Sequence, residues 1–208
     1  MSEPAPSDSS PLLSKHRIEA LSDGVFAVVM TLLVLEIKPE PAAPGDDAAV
    51  RHLLRALVVP VLTFGVAFLI SCVFWSLHHR KFATLRSTNP AHSSLTLAFL
   101  FAITLLPVSV SIFLHAKTSN LARAVYFGNF SLIAATLFAS WLYAQRAGLV
   151  DPAQPAEARQ ELTRRCFAMT AMGVVGMLAF YSGLPYLWVL AVPVVAFGRR
   201  RLQPRPAP

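Results

Sequence analysis

The sequence predicts an all-α polytopic membrane protein with six transmembrane helices per subunit. Of its 208 residues, 55% are hydrophobic and only 14% are charged, whereas about a quarter of a soluble domain is charged. Mean hydropathy is +0.55. Several apolar runs reach the ~20 residues that a helix needs to cross a hydrocarbon core of ~30 Å. The alternating segments of ~10 residues that mark a membrane β-barrel do not occur. The third observation is the way the basic residues divide between the two sides, given below.

The elements follow in order. Residues 1–14, rich in Pro and Ser, read as a disordered cytoplasmic tail. They lack a basic stretch leading into an apolar one, so they do not read as a cleavable signal. Residues 15–201 form the six-helix transmembrane domain, and 202–208 a second cytoplasmic tail. Helix one is expected over Lys15–Ile37, stopped by Pro39, Pro41, Pro44 and Gly45. Asp46 and Asp47 suit the start of helix two through capping and the helix dipole. Helix two spans Asp47–Phe82, with Pro60 as a candidate kink. The turn Ser87-Thr88-Asn89-Pro90 restarts the chain into helix three, Pro90–His115, with Pro107 near its far end. Helix four covers Asn120–Arg146, and a Pro-containing loop leads to helix five, Glu161–Tyr181. Gly173 and Gly176 let helix five approach a neighbour closely. Ser182-Gly183-Leu184-Pro185 is a tight connection into helix six, Pro185–Gly198, the shortest span.

With these spans, thirteen of the eighteen Lys and Arg residues fall on one side: Lys15 and Arg17; Arg80, Lys81 and Arg86; Arg146, Arg159, Arg164 and Arg165; Arg199, Arg200, Arg201 and Arg205. The other five are Lys38, Arg51, Arg55, Lys117 and Arg123. The positive-inside rule then puts both termini in the cytoplasm. The net charge of +7 is thus explained by topology, and no nucleic-acid partner is expected. The expected location is a membrane, as a multi-pass protein. Cys72 and Cys166, the two cysteines, lie in apolar runs and imply no disulfide framework.

Helix one carries the functional reading. At about 100° per residue, Gly24, Val28, Thr31 and Leu35 share one face, small or medium in size. Phe26, Met30, Leu33 and Ile37 share the opposite, bulky face. Periodicity alone also fits plain helix–helix packing. The functional alternative is that copies of the smooth face surround a narrow axis, with Val28 and Leu35 as constrictions and Thr31 as the one hydroxyl. Asp23 lies off that face. An acid at the mouth of a membrane helix needs a cation or hydrogen-bond donors. Trp75, His78 and His79, at i, i+3 and i+4 on helix two, are the candidates. Arg17 points elsewhere, towards another helix or subunit.

Arg17, Leu21-Ser22-Asp23-Gly24-Val25-Phe26-Ala27, Thr31 to Glu36, Phe74-Trp75 and His78-His79 together resemble a known family, the prokaryotic relatives of the lysosomal potassium channel transmembrane protein 175. The resemblance covers the first two helices by motif and the remainder by its six-span layout. It implies a homotetramer whose pore is lined by helix one, passing monovalent cations with potassium as the permeant ion and no cofactor. The TVGYG filter is absent, as in the family. The matching pore positions are Val28, Thr31 and Leu35, with Leu32 beside them. The matching polar set at the cytoplasmic mouth is Arg17, Ser22, Asp23, Trp75 and His78 or His79. Leu21 stands where the motif has Phe, and Val28 where members usually place Ile or Leu. A Val28 ring implies a wider constriction, and rings of neutral side chains imply a modest preference for potassium.

Other classes fit less well. A secondary transporter would show repeats and broken helices at the midplane. A metal-dependent enzyme would need a motif such as HExxH or paired carboxylates, and His78-His79 are adjacent. A non-conducting membrane assembly protein is the remaining alternative.

Overall fold

The computed structural model describes residues 14–39, 47–116 and 118–184. They form six α-helices: α1 (Lys15–Leu32), α2 (Asp47–Ala83), α3 (Pro90–Thr104), α4 (Leu106–His115), α5 (Asn120–Arg146) and α6 (Ala156–Tyr181). Among the described residues four stretches are long and apolar enough to cross a membrane, Lys15–Glu36, Asp47–Ala83, Pro90–His115 and Asn120–Arg146, and the expected fifth span, Glu161–Tyr181, is not one of them. The expected sixth span, Pro185–Gly198, lies outside the described residues.

Helix one does not run unbroken to Ile37. The α-helix stops at Leu32 and a 3₁₀ turn covers Leu33–Glu36. The amide of Ile37 donates to the Val34 carbonyl, three residues back, at 3.1 Å. Such tightening satisfies the end carbonyls of a helix, and Pro39 bars further helix. Helix α2 continues through Pro60 for 37 residues, about 55 Å at 1.5 Å per residue. That exceeds the hydrocarbon core, so its first turns, with Arg51, His52 and Arg55, extend beyond it.

The expected single helix Pro90–His115 is two segments meeting at Leu105. Pro107 sits at the start of α4, lacks the N–H that would bond to Ile103, and its ring would crowd that carbonyl. Asn89 caps α3, its side chain accepting from the His92 amide at 2.9 Å. Helix α6 begins at Ala156, five residues before the expected Glu161. Its polar first turns lie outside the apolar run that set the expectation. Helices α5 and α6 both end in glycines at positive φ, Gly148 (66°) and Gly183 (72°). The amides of Leu149 and Leu184 reach back to Ala144 and Ala179, closing each helix with a left-handed cap.

One end of the bundle gathers the start of α1 and the ends of α2 and α5. Lys15 Nζ donates to the Leu85 carbonyl at 2.6 Å. Leu85 and Val150 form an isolated antiparallel bridge, with Arg86 and Asp151 amides donating to the carbonyls of Leu149 and Thr84. The core joins Phe26, Val29 and Leu33 of helix one to Phe74 of α2, Phe99 and Ile103 of α3, and Phe130, Ile133 and Trp141 of α5.

Candidate functional site

Helix one has one packed side and one open side. Ile18, Ser22, Phe26, Val29 and Leu33 are buried. Their spacings of four, four, three and four form a helical stripe that faces the core. Gly24, Val28, Thr31 and Leu35 lie on the open side. Val28 is 56% exposed, Leu35 64% and the neighbouring Leu32 42%. A Cβ placed on Gly24 meets nothing within 4 Å. The Thr31 hydroxyl donates to the Val28 carbonyl at 2.8 Å, leaving its lone pairs available. The 3₁₀ turn advances each residue by about 120° where an α-helix advances about 100°. Leu35 is therefore carried further round the axis than an unbroken helix would place it, yet it stays on the open side.

Two acids of α1 meet two rings of α2. Trp75 Nε1 donates to Asp23 Oδ1 at 2.9 Å. His79 stacks on Trp75, with ring centroids 5.5 Å apart, and its Nδ1 lies 3.8 Å from Glu19 Oε1. Glu19 and Asp23 are four apart on α1, and Trp75 and His79 four apart on α2, so the pairs match face to face. The sequence reading missed Glu19, although its i, i+4 spacing to Asp23 was the available signal.

The other expected members of the polar set stand apart. His78 is buried against Phe99, Phe82 and Phe26, with centroids 5.0, 4.7 and 6.3 Å away. Neither of its ring nitrogens has a hydrogen-bond partner among the described residues. Ser22 is buried too, and its hydroxyl donates to the Ile18 carbonyl of its own helix at 2.7 Å. Arg17 is exposed; its backbone amide donates to the Ser14 carbonyl at 3.1 Å, and its guanidinium makes no hydrogen bond among the described residues.

A second polar site forms around Lys81, one of the basic residues that the sequence assigns to the cytoplasmic side. Lys81 is 1% exposed. Its ammonium donates to Ser140 Oγ at 2.9 Å and approaches Thr96 Oγ1 at 3.5 Å, and lies 4.9 Å from the Phe82 ring centre. Among the described residues no carboxylate pairs with it. The signal was again helical spacing, since Ala67, Ser71, Phe74, His78 and Lys81 run at four, three, four and three along the buried side of α2.

Residues 17–107 match the family model described as the endosomal/lysosomal potassium channel TMEM175. A protein of Streptomyces collinus named as a potassium channel is 34% identical over 175 residues, covering 80% of this chain and 82% of its own. The chain belongs to the TMEM175 family. A second relative named as a potassium channel, from Chamaesiphon minutus, is 34% identical over 134 residues, 63% of this chain and 66% of that one. The fold matches the crystal structure of a lysosomal potassium-selective channel TMEM175 homolog from Chamaesiphon minutus with a TM-score of 0.66 at 24% identity, over 89% of this chain and 98% of that one. As a TMEM175-family chain with several membrane-length helices, this is a multi-pass membrane protein.

Proposed function

We propose that the protein is a potassium-permeable cation channel of a bacterial plasma membrane. Four copies surround a pore lined by helix one, and each subunit has six spans with both termini in the cytoplasm. The observation that carries this reading is the asymmetry of helix one: its buried stripe packs inside the subunit, while Gly24, Val28, Thr31 and Leu35 lie exposed on the opposite side among the described residues. A single helix encloses nothing, so this face acts only in company with copies of itself. Family membership supports the ion, because both bacterial relatives are named as potassium channels.

In this arrangement Val28 and Leu35 form apolar rings that restrict flow by size and by dewetting, and the Thr31 ring supplies oxygen between them. Leu32 stands beside the pathway. Asp23 holds the mouth through Trp75, with His79 and Glu19 alongside, and does not need to touch the ion. Arg17 remains free to bridge to a neighbouring subunit, and Ser22 fixes the local helix.

The test is flux from potassium-loaded liposomes containing the purified protein. Potassium is expected to leave, with sodium carried less well, and an absence of protein-dependent flux would sink the channel reading. Val28→Cys and Leu35→Cys are expected to become sensitive to thiol reagents on a background lacking native cysteines, and Met30→Cys is not. Equal sensitivity at all three positions would remove the assigned pore face.

A further inference from the structure

Where α5 ends and α6 begins lies a groove of about 480 Å³, lined by Gln145, Ala156, Arg159, Gln160, Thr163 and Arg164. No acidic residue stands in this wall. On α6, 159 with 163 and 160 with 164 are i, i+4 pairs, so the four residues form one continuous face. Thr163 anchors that face to α5. Its hydroxyl donates to the Arg159 carbonyl at 2.8 Å and accepts from Trp141 Nε1 at 2.8 Å and Gln145 Nε2 at 3.3 Å. Thr163 is therefore saturated, and the open donors of the groove lie on the arginines and on the amides of Gln145 and Gln160.

Arg159 Nε is buried and has no partner among the described residues. A buried donor left unpaired is costly, so the geometry favours an added acceptor. Arg164 gives one edge to Glu161, which also holds Arg165, and a guanidinium has further N–H groups to offer. Ala156 opens α6, and the capping residue Pro155 has no side-chain oxygen for the first-turn amides. That helix start adds partial positive charge, set against the Glu157 carboxylate in the same turn. The groove thus offers donors, two guanidinium groups and a helix N-terminus. A compact oxyanion meets all three, and guanidinium groups match phosphate oxygens in bidentate pairs.

We propose that this groove binds the phosphate of an acidic phospholipid headgroup. It lies beside Arg146, which closes α5 at the end of a membrane-length helix. Headgroups concentrate at that depth, and basic pockets between helix ends on the cytoplasmic side recruit anionic lipid. The inference concerns lipid binding and is read without any measurement of conduction, so it stands or falls separately from the channel reading.

The test uses the purified full-length protein in phosphatidylcholine vesicles with and without phosphatidylglycerol. Two readouts serve: phosphatidylglycerol retained on the protein in native mass spectrometry, and the thermal-unfolding midpoint. Wild type is expected to retain phosphatidylglycerol and to unfold at a higher temperature in its presence. Arg159→Gln should reduce retention by roughly tenfold, as expected for loss of a charge-assisted contact. Gln160→Glu, at an exposed position, puts a carboxylate in the wall and should act in the same direction; Gln160→Arg should raise retention. If Arg159→Gln fails to fold, the opposed pair at position 160 decides. Equal retention by wild type, Gln160→Glu and Gln160→Arg overturns the site. A midpoint raised by inorganic phosphate but not by phosphatidylglycerol overturns the headgroup assignment.

Discussion

Helices α5 and α6 pack with glycine against aromatic rings, whereas helix one leaves its glycine facing open space. At Gly173 an added Cβ would lie 2.7 Å from Ser131 Oγ and 2.8 Å from Phe130 Cδ1, and at Gly176 it would run into the Phe127 ring. At Gly24 it would meet nothing within 4 Å. The same residue type therefore marks completed packing in one region and unfinished packing in the other. The same contrast holds over whole spans: 39% of the apolar window of α5, Asn120–Arg146, is buried within the subunit, against 28% for Lys15–Glu36 and 17% for Asp47–Ala83. Helix one and α2 leave most of their apolar surface exposed on the subunit.

The largest expected effect tests the completed region. Gly176→Val should destabilise the subunit by about 3 kcal/mol, near the upper end for overpacking, read as a fall in the thermal midpoint in detergent. Next comes the buried ammonium. Ser140→Ala removes the nearer of the two hydroxyl partners of Lys81 and should cost about 1–3 kcal/mol. Lys81→Met, which removes the charge and keeps an unbranched chain, should be near neutral or stabilising. If Lys81→Met were the worse of the two, the charge would have a role beyond burial. Gly24→Ala tests the open region. It should stabilise the isolated subunit by up to about 1 kcal/mol through helix propensity while lowering flux in liposomes. A loss of stability as large as that of Gly176→Val would erase the contrast between the regions. The smallest effect belongs to the contact between Trp75 and Asp23. Trp75→Phe keeps the ring and deletes the N–H bonded to Asp23, at a cost of about 0.5 kcal/mol for a partly exposed hydrogen bond. No change in either midpoint or flux would show that this contact does not hold helix one.

Much of the helix pattern was legible because a bilayer demands length and apolarity. The bounds Asn120–Arg146 and the starts at Lys15, Asp47 and Pro90 follow from apolar runs flanked by capping residues, Pro and charge. The break at Leu105 was less legible, since Pro107 signals a disturbance without fixing where the chain bends. The early start of α6 was hidden because a helix that protrudes into water needs no apolar periodicity. Helical spacing pointed to Asp23 and Trp75, but the adjacent pair His78-His79 could be told apart only by direction. One turns to Trp75 and Glu19, the other into a nest of phenylalanines.

The sequence by itself determined the membrane class, the register of the two faces of helix one and the family resemblance. These depend on local order, since hydropathy, helical period and motif spacing are properties of neighbouring residues. Tertiary structure alone decided that Ser140 and Thr96 face the Lys81 ammonium, that Glu19 joins His79, and that Arg159 shares a groove with Gln145. Each of these joins residues far apart in the chain, and which side chains meet depends on how helices rotate and cross, which hydropathy does not encode.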